Sequence, residues 1–185
     1  MRAAKRQFSL EEYFSIERMS NIRHEYFDGE IFAMSGGTRN HNQIALNVAR
    51  AFDGLRSRGC RYYVADLQVN TPSGLYTYPD VTVACPPVAL TSDHGETITN
   101  PVVIIEVLST STREYDRGLK FELYQTVPTL RDYLLIDQYK IDVEHRFLDG
   151  GAWQSRRYTT GDDVVQFSGV PATLRVADTY ELVTW

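Results

Sequence analysis

The sequence predicts a mixed α/β fold, in which a mixed β-sheet is flanked by helices and a single domain spans residues 1–185. The run "VVIIEVLS", residues 102–109, is apolar on both of its alternating faces, which is typical of a central strand. Hairpin-like, helix-like and strand-like segments follow one another without the strict alternation of a βαβ chain. No linker, repeat or low-complexity tract divides the sequence.

The first predicted elements are a helix and a hairpin. Ser9 and Glu12 have the spacing of a capping box, which predicts a short helix over residues 10–19. The stretch "HEYFDGEIFAMSGG" then predicts a β-hairpin, with Asp28-Gly29 as its two-residue turn.

One long helix is predicted next, over "TRNHNQIALNVARAFDGLRSRG", residues 38–59. Its apolar residues recur at helical spacing and share one face: Ile44, Val48, Ala51 and Leu55. Gly59 is the expected stop of this helix, because glycine adopts the left-handed conformation that ends many helices.

Two strand-like segments and a loop occupy the middle of the chain. The segment "RYYVADLQVN", residues 61–70, is rich in β-branched and aromatic residues and predicts a strand. After a turn at residues 71–74, "YTYPDVTVAC" predicts a second strand that is entered at a proline. Residues 86–100 are predicted to form a polar loop.

The remaining third begins with the buried strand "VVIIEVLS". A helix is predicted over "REYDRGLKFELYQTV", with Leu119, Leu123 and Val127 on its apolar face, and Pro128 blocks its continuation. Three strands and a short helix complete the pattern: "RDYLLIDQ", "DVEHRFL", "AWQSRRYTT" and a helix near "ADTYELV". Asp149-Gly150-Gly151 forms the turn between the last two strands.

Composition and charge limit the classes of function. At 43% hydrophobic and 23% charged residues, the chain has the composition of a globular protein. Its net charge of −5 argues against a protein that coats DNA through bulk charge, although a bound cation can still hold a phosphate. No apolar run is long enough to cross a bilayer, and no hydrophobic signal core follows "MRAAKRQFSL". We therefore expect a cytoplasmic protein without membrane contact.

The two cysteines, Cys60 and Cys85, belong neither to a CxxC motif nor to a Cys/His cluster. A structural zinc site is therefore not expected, and two reduced thiols are the expectation for a cytoplasmic protein. His24, His94 and His145 have no partner that is visible in the sequence, and we assign them no role.

A carboxylate, Glu106, lies within the most apolar strand. Burying its charge is costly unless another group compensates it. Asp80 stands at the start of the neighbouring strand candidate, and two carboxylates from adjacent strands form a hard oxygen site suited to Mg²⁺ or Mn²⁺. The alternative is a structural ion pair between Glu106 and a buried lysine or arginine.

A phosphodiester-cleaving site also needs a cation that faces the phosphate or orients water. Lys120, on the following helix, is the candidate, and a solvated lysine is the alternative. His41, near the start of the long helix, could orient water or contact phosphate, or be only a residue of the helix cap region. Glu25 is either a third carboxylate or a solvent-facing strand residue. Tyr124 either bonds to the site or packs in the core.

Several stretches together resemble the Uma-type family of putative restriction endonucleases, over about residues 8–183. They are "HEYFDGEIFAMSGGTRNHNQI", "YPDVTV", "VVIIEVLS", "STREYDRGLKFELY" and "RDYLLIDQ". The family is similar in fold to the PD-(D/E)XK nucleases, so the resemblance implies a restriction-endonuclease-like mixed sheet with helices on both faces.

The resemblance also implies roles for individual residues. Pro79-Asp80 matches the PD element and Glu106 matches the following acid. The lysine that normally comes two residues later is replaced by Leu108, and Lys120 on the helix matches a lysine that stands in for it. Two accessory polar positions of the family pattern are matched by Glu25 and His41.

The expected function is therefore a metal-dependent DNA endonuclease, with Mg²⁺ or Mn²⁺ as the cofactor. Asp80 and Glu106 would be metal ligands, together with the backbone carbonyl of Val107, and Lys120 would be the catalytic cation. An alternative is a catalytically inactive nucleic-acid-binding or protein-interaction module on the same fold. A third alternative is hydrolysis of another phosphate ester. A homodimer is compatible with the sequence.

Overall fold

The computed structural model describes residues 6–34, 36–91 and 96–185. Within these ranges the chain forms two six-stranded sheets and a two-stranded hairpin. The main sheet has helices packed on both faces, so the predicted mixed sheet flanked by helices is confirmed. The second six-stranded sheet was not predicted.

The N-terminal elements follow the prediction: α1 (Leu10–Met19), β1 (His24–Phe27) and β2 (Glu30–Ala33). The capping box is present, because the Ser9 hydroxyl accepts from the Glu12 N–H and the Glu12 carboxylate accepts from the Ser9 N–H. Asp28 and Gly29 have φ angles of 47° and 77°, as a tight hairpin turn requires.

The predicted long helix has two parts: α2 (Arg39–Ala49) and a 3₁₀ segment (Arg50–Arg58). Phe52 and Leu55, three residues apart, are both buried on the 3₁₀ segment. Three residues per turn place them on the same side, so the tighter helix lets both pack into the core. Gly59 ends the segment at a φ of 78°, as predicted.

The two strands predicted in the middle of the chain are each divided between the sheets: β3 (Arg61–Val64), β4 (Gln68–Asn70), β5 (Tyr76–Thr77) and β6 (Val81–Ala84). β3 pairs with β6 in the main sheet, and β4 pairs with β5 in the second sheet. Ala65 and Asp66, with φ angles of 50° and 47°, turn the chain between β3 and β4. No glycine marks this bend, and a single aspartate, Asp66, did not set it apart from the strand-like residues around it.

The predicted polar loop over residues 86–100 contains two short strands: β7 (Leu90–Thr91) and β8 (Thr97–Ile98). His94 and its neighbours, residues 92–95, lie outside the described residues. The two strands complete the second sheet, whose order is β2-β1-β5-β4-β8-β7.

The other strands of the main sheet are β9 (Val103–Leu108), β10 (Asp132–Asp137), β11 (Val143–Asp149) and β12 (Ala152–Tyr158). The order is β12-β11-β10-β9-β6-β3, and only β9 and β10 run parallel among these described pairs. Every residue of β9 is buried, which confirms the predicted central strand. The antiparallel register pairs Val81 with Ile105, and its continuation by one residue places Asp80 opposite Glu106.

The helix predicted after β9 is interrupted, and its parts are α3 (Arg113–Arg117) and α4 (Leu119–Tyr124). Gly118 separates them with non-helical backbone angles, a φ of −102° and a ψ of −107°. Leu119 was predicted on the apolar face but is 45% exposed, and Lys120 is 3% exposed. The break reorients α4, so the lysine rather than the leucine faces the interior.

The two faces of β9 belong to different cores. Val103 and Ile105 pack in a core with residues of α2, whereas Ile104 and Leu108 pack in a second core with residues of α4 and of the second sheet. Because side chains alternate along a strand, Glu106 shares the face of Ile104 and Leu108. The carboxylate therefore points toward α4 and the second sheet.

The C-terminal part adds an unpredicted hairpin and the predicted short helix: β13 (Val164–Gln166), β14 (Thr173–Arg175) and α5 (Val176–Thr179). Asp132 at the start of β10 accepts hydrogen bonds from the backbone N–H groups of Ser168 and Gly169, and its carboxylate lies 2.8 Å from His145 Nε2. His145 therefore has a buried partner that the sequence did not reveal.

The expectation of reduced thiols is wrong, because Cys60 and Cys85 form a disulfide. Arg61 pairs with Ala84 in the antiparallel register of β3 and β6. The next position of this register places Cys60 opposite Cys85. The pairing depends on strand register, which the spacing of the cysteines in the sequence does not reveal. Separately, none of the helices in the described ranges has the length and apolar character needed to span a membrane.

Candidate functional site

The candidate site lies where the end of β9 meets the start of β6, the first turn of α2, and the inner faces of α4 and β1. The structure brings five predicted residues to this place: Glu25, His41, Asp80, Glu106 and Lys120. It also brings one that was not predicted, Asp116.

Asp80 is fixed by the neighbouring strand before any ligand binds. Its Oδ2 accepts a 2.6 Å hydrogen bond from the backbone N–H of Val107 and lies 3.2 Å from His41 Nε2. The antiparallel register of β6 and β9 explains the first contact. Val107 thus contacts the acid through its N–H group, and the role of its carbonyl as a metal ligand stays a prediction.

Glu106 is 5% exposed and is paired with Lys120. Its Oε1 lies 2.8 Å from the Lys120 ammonium and accepts a 2.9 Å hydrogen bond from the Tyr124 hydroxyl. Burial raises the pKa of the Glu106 carboxyl to about 8, with Lys120 opposing the shift and Asp116 and Asp80 adding to it. Tyr124 therefore contacts the site, in addition to packing in the core.

Lys120 is a buried cation surrounded by carboxylates. Its Nζ lies 2.8 Å from Glu106, 2.9 Å from Glu25 and 3.5 Å from Asp116. Burial is the largest influence and would lower the pKa of this ammonium, but the nearby acids, Glu106 first and then Glu25, act together against it and hold the pKa well above its usual value. The alternative of a solvated lysine is therefore wrong.

Glu25 joins the second sheet to this cluster. It lies on β1, is buried, and accepts a hydrogen bond from the Thr77 hydroxyl on β5 in addition to the ion pair with Lys120. The alternative of a solvent-facing strand residue is therefore wrong. Lys120 links Glu25 on one sheet to Glu106 on the other.

His41 is positioned by the start of α2. Thr38 caps the helix by accepting from the His41 N–H, and an ideal Cβ on Gly37 would lie only 2.6 Å from His41 Nδ1. Burial is the largest influence on the pKa of His41 and tends to lower it, but the hydrogen bond with Asp80 and the charges of Asp80 and Asp116 act together against burial, and the pKa is raised. The ring nitrogen Nδ1 is buried and has no hydrogen-bond partner in the described part of the chain.

A hydrogen-bonded bridge holds α2 against the ends of β9 and β10. The Thr38 hydroxyl donates to the side chain of Gln138, whose amide donates to the Leu108 carbonyl at 2.8 Å. Gln138 was not predicted, since nothing local distinguishes it. Asp116 was not predicted either, because its spacing of four residues before Lys120 is equally typical of an ordinary ion pair on a helix surface, and its place in the site follows from the burial of Lys120.

The donor set of the site suits a divalent cation in its chemistry. Among the described residues, the carboxylates of Asp80, Glu106, Asp116 and Glu25 are paired with Lys120 and His41, and oxygen ligands of this kind are what Mg²⁺ and Mn²⁺ prefer. In the described ranges, no group of three or more His, Cys, Asp or Glu is arranged to hold a metal ion. Since Mg²⁺ in proteins keeps several waters and is commonly bound through one or two carboxylates, the assignment of Asp80 and Glu106 as its ligands stays a prediction.

A cleft borders part of this site. It has a volume of about 300 Å³, and Asp80 and His41 are the site residues in its lining, which also includes Arg23, Asp66 and Gly37. Arg23 is half-exposed and pairs with Asp66 at 3.4 Å. The cleft is therefore lined by an imidazole and a guanidinium as well as by the carboxylate of Asp80.

Two further histidines in the described part of the chain lie elsewhere. His24 Nδ1 is 2.9 Å from Glu17, which also accepts a hydrogen bond from the Tyr78 hydroxyl, and His145 pairs with Asp132. Each of these histidines is held by a buried carboxylate, His24 by Glu17 and His145 by Asp132. Neither histidine contacts the residues of the candidate site in these pairs.

Two relatives from Synechocystis sp. (strain ATCC 27184 / PCC 6803 / Kazusa) are similar to the chain over most of its length. The uncharacterised protein slr1290 is 40% identical over 163 residues, which covers 84% of this chain and 83% of the relative. The uncharacterised protein sll1609 is 37% identical over 136 residues, covering 72% of this chain and 77% of the relative.

A solved structure has the same fold. It is the crystal structure of a putative nuclease belonging to DUF820 from Anabaena variabilis ATCC 29413, with a TM-score of 0.69 and 16% sequence identity. The match covers 89% of this chain and 93% of the other, so the restriction-endonuclease-like fold is confirmed.

The family model described as Uma2, putative restriction endonuclease, matches residues 10–178. This range contains all six residues of the candidate site, from Glu25 to Lys120, and nearly every described helix and strand. The chain therefore belongs to the Uma2 family of putative restriction endonucleases.

Proposed function

We propose that the protein is a Mg²⁺- or Mn²⁺-dependent DNA endonuclease that hydrolyses phosphodiester bonds. The observation that carries this proposal is the meeting of Asp80, Glu106 and Lys120 at the ends of two adjacent strands. The family description and the fold shared with a protein described as a nuclease support it.

Asp80 and Glu106 would hold the cation, with the backbone carbonyl of Val107 as a further ligand. A bound Mg²⁺ would lower the pKa of a water molecule and neutralise charge that develops on the phosphate. The Val107 N–H already holds Asp80 in place. One of the two carboxylates is therefore preorganised, which reduces the reorganisation that the reaction requires.

His41 would act at the phosphate. Its Nε2 contacts Asp80, and its raised pKa favours the protonated ring. The side chain also lies in the first turn of α2, where the helix dipole favours an anion. His41 would therefore place positive charge where a phosphate enters the cleft. Lys120 would stabilise charge on the phosphate or orient the attacking water.

The test is cleavage of supercoiled plasmid by the wild type and by Asp80→Asn and Glu106→Gln, with Mg²⁺ or Mn²⁺. We expect each variant to lose activity by on the order of 10²-fold or more, because each removes a carboxylate that would hold the cation that stabilises the transition state. Glu122→Gln is the matched control, since Glu122 is an exposed carboxylate on α4. Equal nicking by all four proteins would rule out the assignment.

A second candidate function is a non-catalytic module, and one observation favours it. Lys120 already neutralises Glu106 internally, with Glu25 and Asp116 close by. A metal that binds the folded chain raises the melting temperature by linkage. If titration calorimetry gives no Mn²⁺ binding and Mn²⁺ leaves the melting temperature unchanged, the module is supported and the nuclease is not.

A further inference from the structure

We infer that Asp116 is a positioning residue of the site, which together with Glu25 receives the ammonium of Lys120 when Glu106 binds a divalent cation. The inference rests on the proposed function for its cation, but it concerns the movement of Lys120. Neither the sequence pattern nor the family resemblance pointed to Asp116.

The first observation is the number of donors on Lys120. An ammonium group has three N–H donors and no acceptor. Lys120 Nζ has three carboxylate neighbours in the described part of the chain: Glu106, Glu25 and Asp116. The contacts with Glu106 and Glu25 are 2.8 and 2.9 Å long and the contact with Asp116 is longer, at 3.5 Å, so the ammonium is surrounded by these three acids. A cation that takes Glu106 therefore leaves Glu25 and Asp116 as the acids next to the ammonium.

The second observation is that the three carboxylates have different neighbours besides Lys120. Glu106 lies opposite Asp80 in the continued register of β6 and β9, so it is the one that shares a cation with Asp80. Glu25 lies on the other sheet and is held by the Thr77 hydroxyl. A divalent cation at Asp80 and Glu106 therefore competes with Lys120 for Glu106.

The third observation is the length of the contact with Asp116. Charge-assisted N–H···O hydrogen bonds are usually about 2.7–2.9 Å long. Lys120 Nζ lies 2.8 Å from Glu106 but 3.5 Å from Asp116, so a movement of about 0.7 Å toward Asp116 would shorten that contact to the present length of the Glu106 contact. The Asp116 pair is the one that can still shorten.

The lysine, and not the aspartate, is the partner that can move. Asp116 is buried, and its backbone carbonyl accepts a 2.9 Å hydrogen bond from the Tyr133 hydroxyl of β10. The lysine ammonium is carried on a flexible four-carbon stem. The cluster also holds three acidic groups and one ammonium, so its charge attracts a further cation.

The experiment is a double-mutant cycle that measures Mn²⁺ affinity by titration calorimetry on the full chain after treatment with EDTA. We expect Asp116→Asn to weaken Mn²⁺ binding by about tenfold, because Lys120 then loses a carboxylate that receives it. We expect Lys120→Met to strengthen binding, because the competing ammonium is gone. In the Lys120→Met background, Asp116→Asn should change the affinity by less than about twofold.

The cycle separates this inference from simple charge effects and from the proposed function. If Asp116 acted only as a nearby negative charge, its removal would weaken binding at least as much in the Lys120→Met background, which would overturn the inference alone. Absence of Mn²⁺ binding by the wild type would overturn both the inference and the nuclease. A cycle that behaves as expected in a protein that fails to cleave DNA would leave the inference standing.

Glu25→Gln provides a second variant if Asp116→Asn does not fold. It should also weaken Mn²⁺ binding only when Lys120 is present, because Glu25 is the other carboxylate that receives the ammonium. Glu122→Gln, on the exposed side of α4, should leave the affinity unchanged in both backgrounds. If Glu25→Gln weakens binding equally in both backgrounds, the transfer of Lys120 is excluded.

Discussion

Lys120 and its carboxylates are structural groups as well as candidate catalytic ones. Removing one partner of a buried ion pair leaves an uncompensated charge and typically costs about 3–5 kcal/mol. Glu106 and Lys120 are both almost fully buried, so substitutions at either position will lower stability as well as activity. Experiments on these residues therefore need a binding or titration measurement besides turnover.

Gly37 determines where His41 lies. Since a Cβ at Gly37 would come within 2.6 Å of His41 Nδ1, Gly37→Ala should push the ring away from Asp80. Burial lowers the pKa of His41, and the hydrogen bond with Asp80 is the largest of the contributions that together raise it. We predict that Gly37→Ala lowers the His41 pKa relative to wild type, as measured by an NMR titration of the ring protons.

Gly36→Ala is the control for this prediction, because an added Cβ at Gly36 has nothing within 4 Å. The His41 pKa should be the same in Gly36→Ala as in the wild type. If Gly37→Ala leaves the His41 titration unchanged, the contact between Gly37 and the ring does not position the histidine.

The residues of the candidate site could be predicted to different degrees. Asp80 and Glu106 were predicted because a carboxylate within or next to an apolar run is easily recognised in the sequence. The burial of Lys120 was not predicted, since its exposure depends on the rotation of α4 after Gly118. Asp116 became visible only when three elements were seen to converge on one ammonium.

At the scale of elements, an ion-paired group ties β12 to the chain just before β11. Asp142 is buried and accepts hydrogen bonds from the Arg157 guanidinium through both of its oxygens, and Lys140 lies 3.1 Å away. Hydrogen bonding to Arg157 lowers the pKa of Asp142 below its ordinary value. Arg157 is half-exposed, so solvent screens part of this interaction.

The stabilisation from Asp142 should depend on pH. Because the folded pKa is lower than the unfolded one, the contribution is fully present above the unfolded value, near 3.8, and is lost as the pH falls through the folded value. We predict that Asp142→Asn lowers the free energy of unfolding by about 1 kcal/mol at pH 7. Urea denaturation at several pH values should show this difference shrinking below about pH 4.

Asp178→Asn is the matched control, because Asp178 and Arg175 form an exposed pair with 3.9 Å between the charged atoms. That substitution should change stability little at any pH. A difference between Asp142→Asn and wild type that stayed constant down to pH 2 would contradict the assignment of the stabilisation to the charged pair.

Elements with a strong local signal were predicted well, and elements whose limits depend on long-range packing were not. The capping box of α1 and the Asp28-Gly29 turn are set by neighbouring residues, and both are present. The division of residues 61–70 between β3 and β4 depends on which sheet each half joins. That choice is made by partners further along the chain, such as Thr82 for β3 and Thr97 for β4.

At the scale of the whole molecule, the disulfide fastens the edge strand β3 to β6. Cys60 and Cys85 are separated by 25 residues, and this segment includes the bend at residues 65–66 and strands β4 and β5 of the second sheet. A crosslink that closes a loop of this size restricts the unfolded chain and stabilises the fold by about 3 kcal/mol.

We predict that the double variant Cys60→Ser/Cys85→Ser is less stable than the oxidised wild type by about 3 kcal/mol. Urea denaturation without reductant measures the difference. In dithiothreitol, the wild type should lose most of its advantage over the variant. If the wild type unfolds at the same urea concentration with and without dithiothreitol, while thiol titration confirms that the bond has been reduced, the crosslink does not stabilise the protein.

The number of sheets is what the sequence could not predict. The second sheet is assembled from strands of two to four residues, and such short segments carry little periodicity. Its order requires the hairpin of β1 and β2 to meet β5, nearly fifty residues further along the chain. The main sheet was easier to predict because β9 and β10 are six-residue apolar runs.

The position of Leu108 has a consequence for how such proteins diverge. The common motif places a lysine there, on a strand whose side chains fill the interior, but here Leu108 is fully buried in the core and the charge comes from Lys120 on another element. The buried volume at position 108 and the positive charge at position 120 are thus supplied by two separate residues. In descendants of this chain, tolerated substitutions at position 108 should follow side-chain volume, and those at position 120 should follow charge.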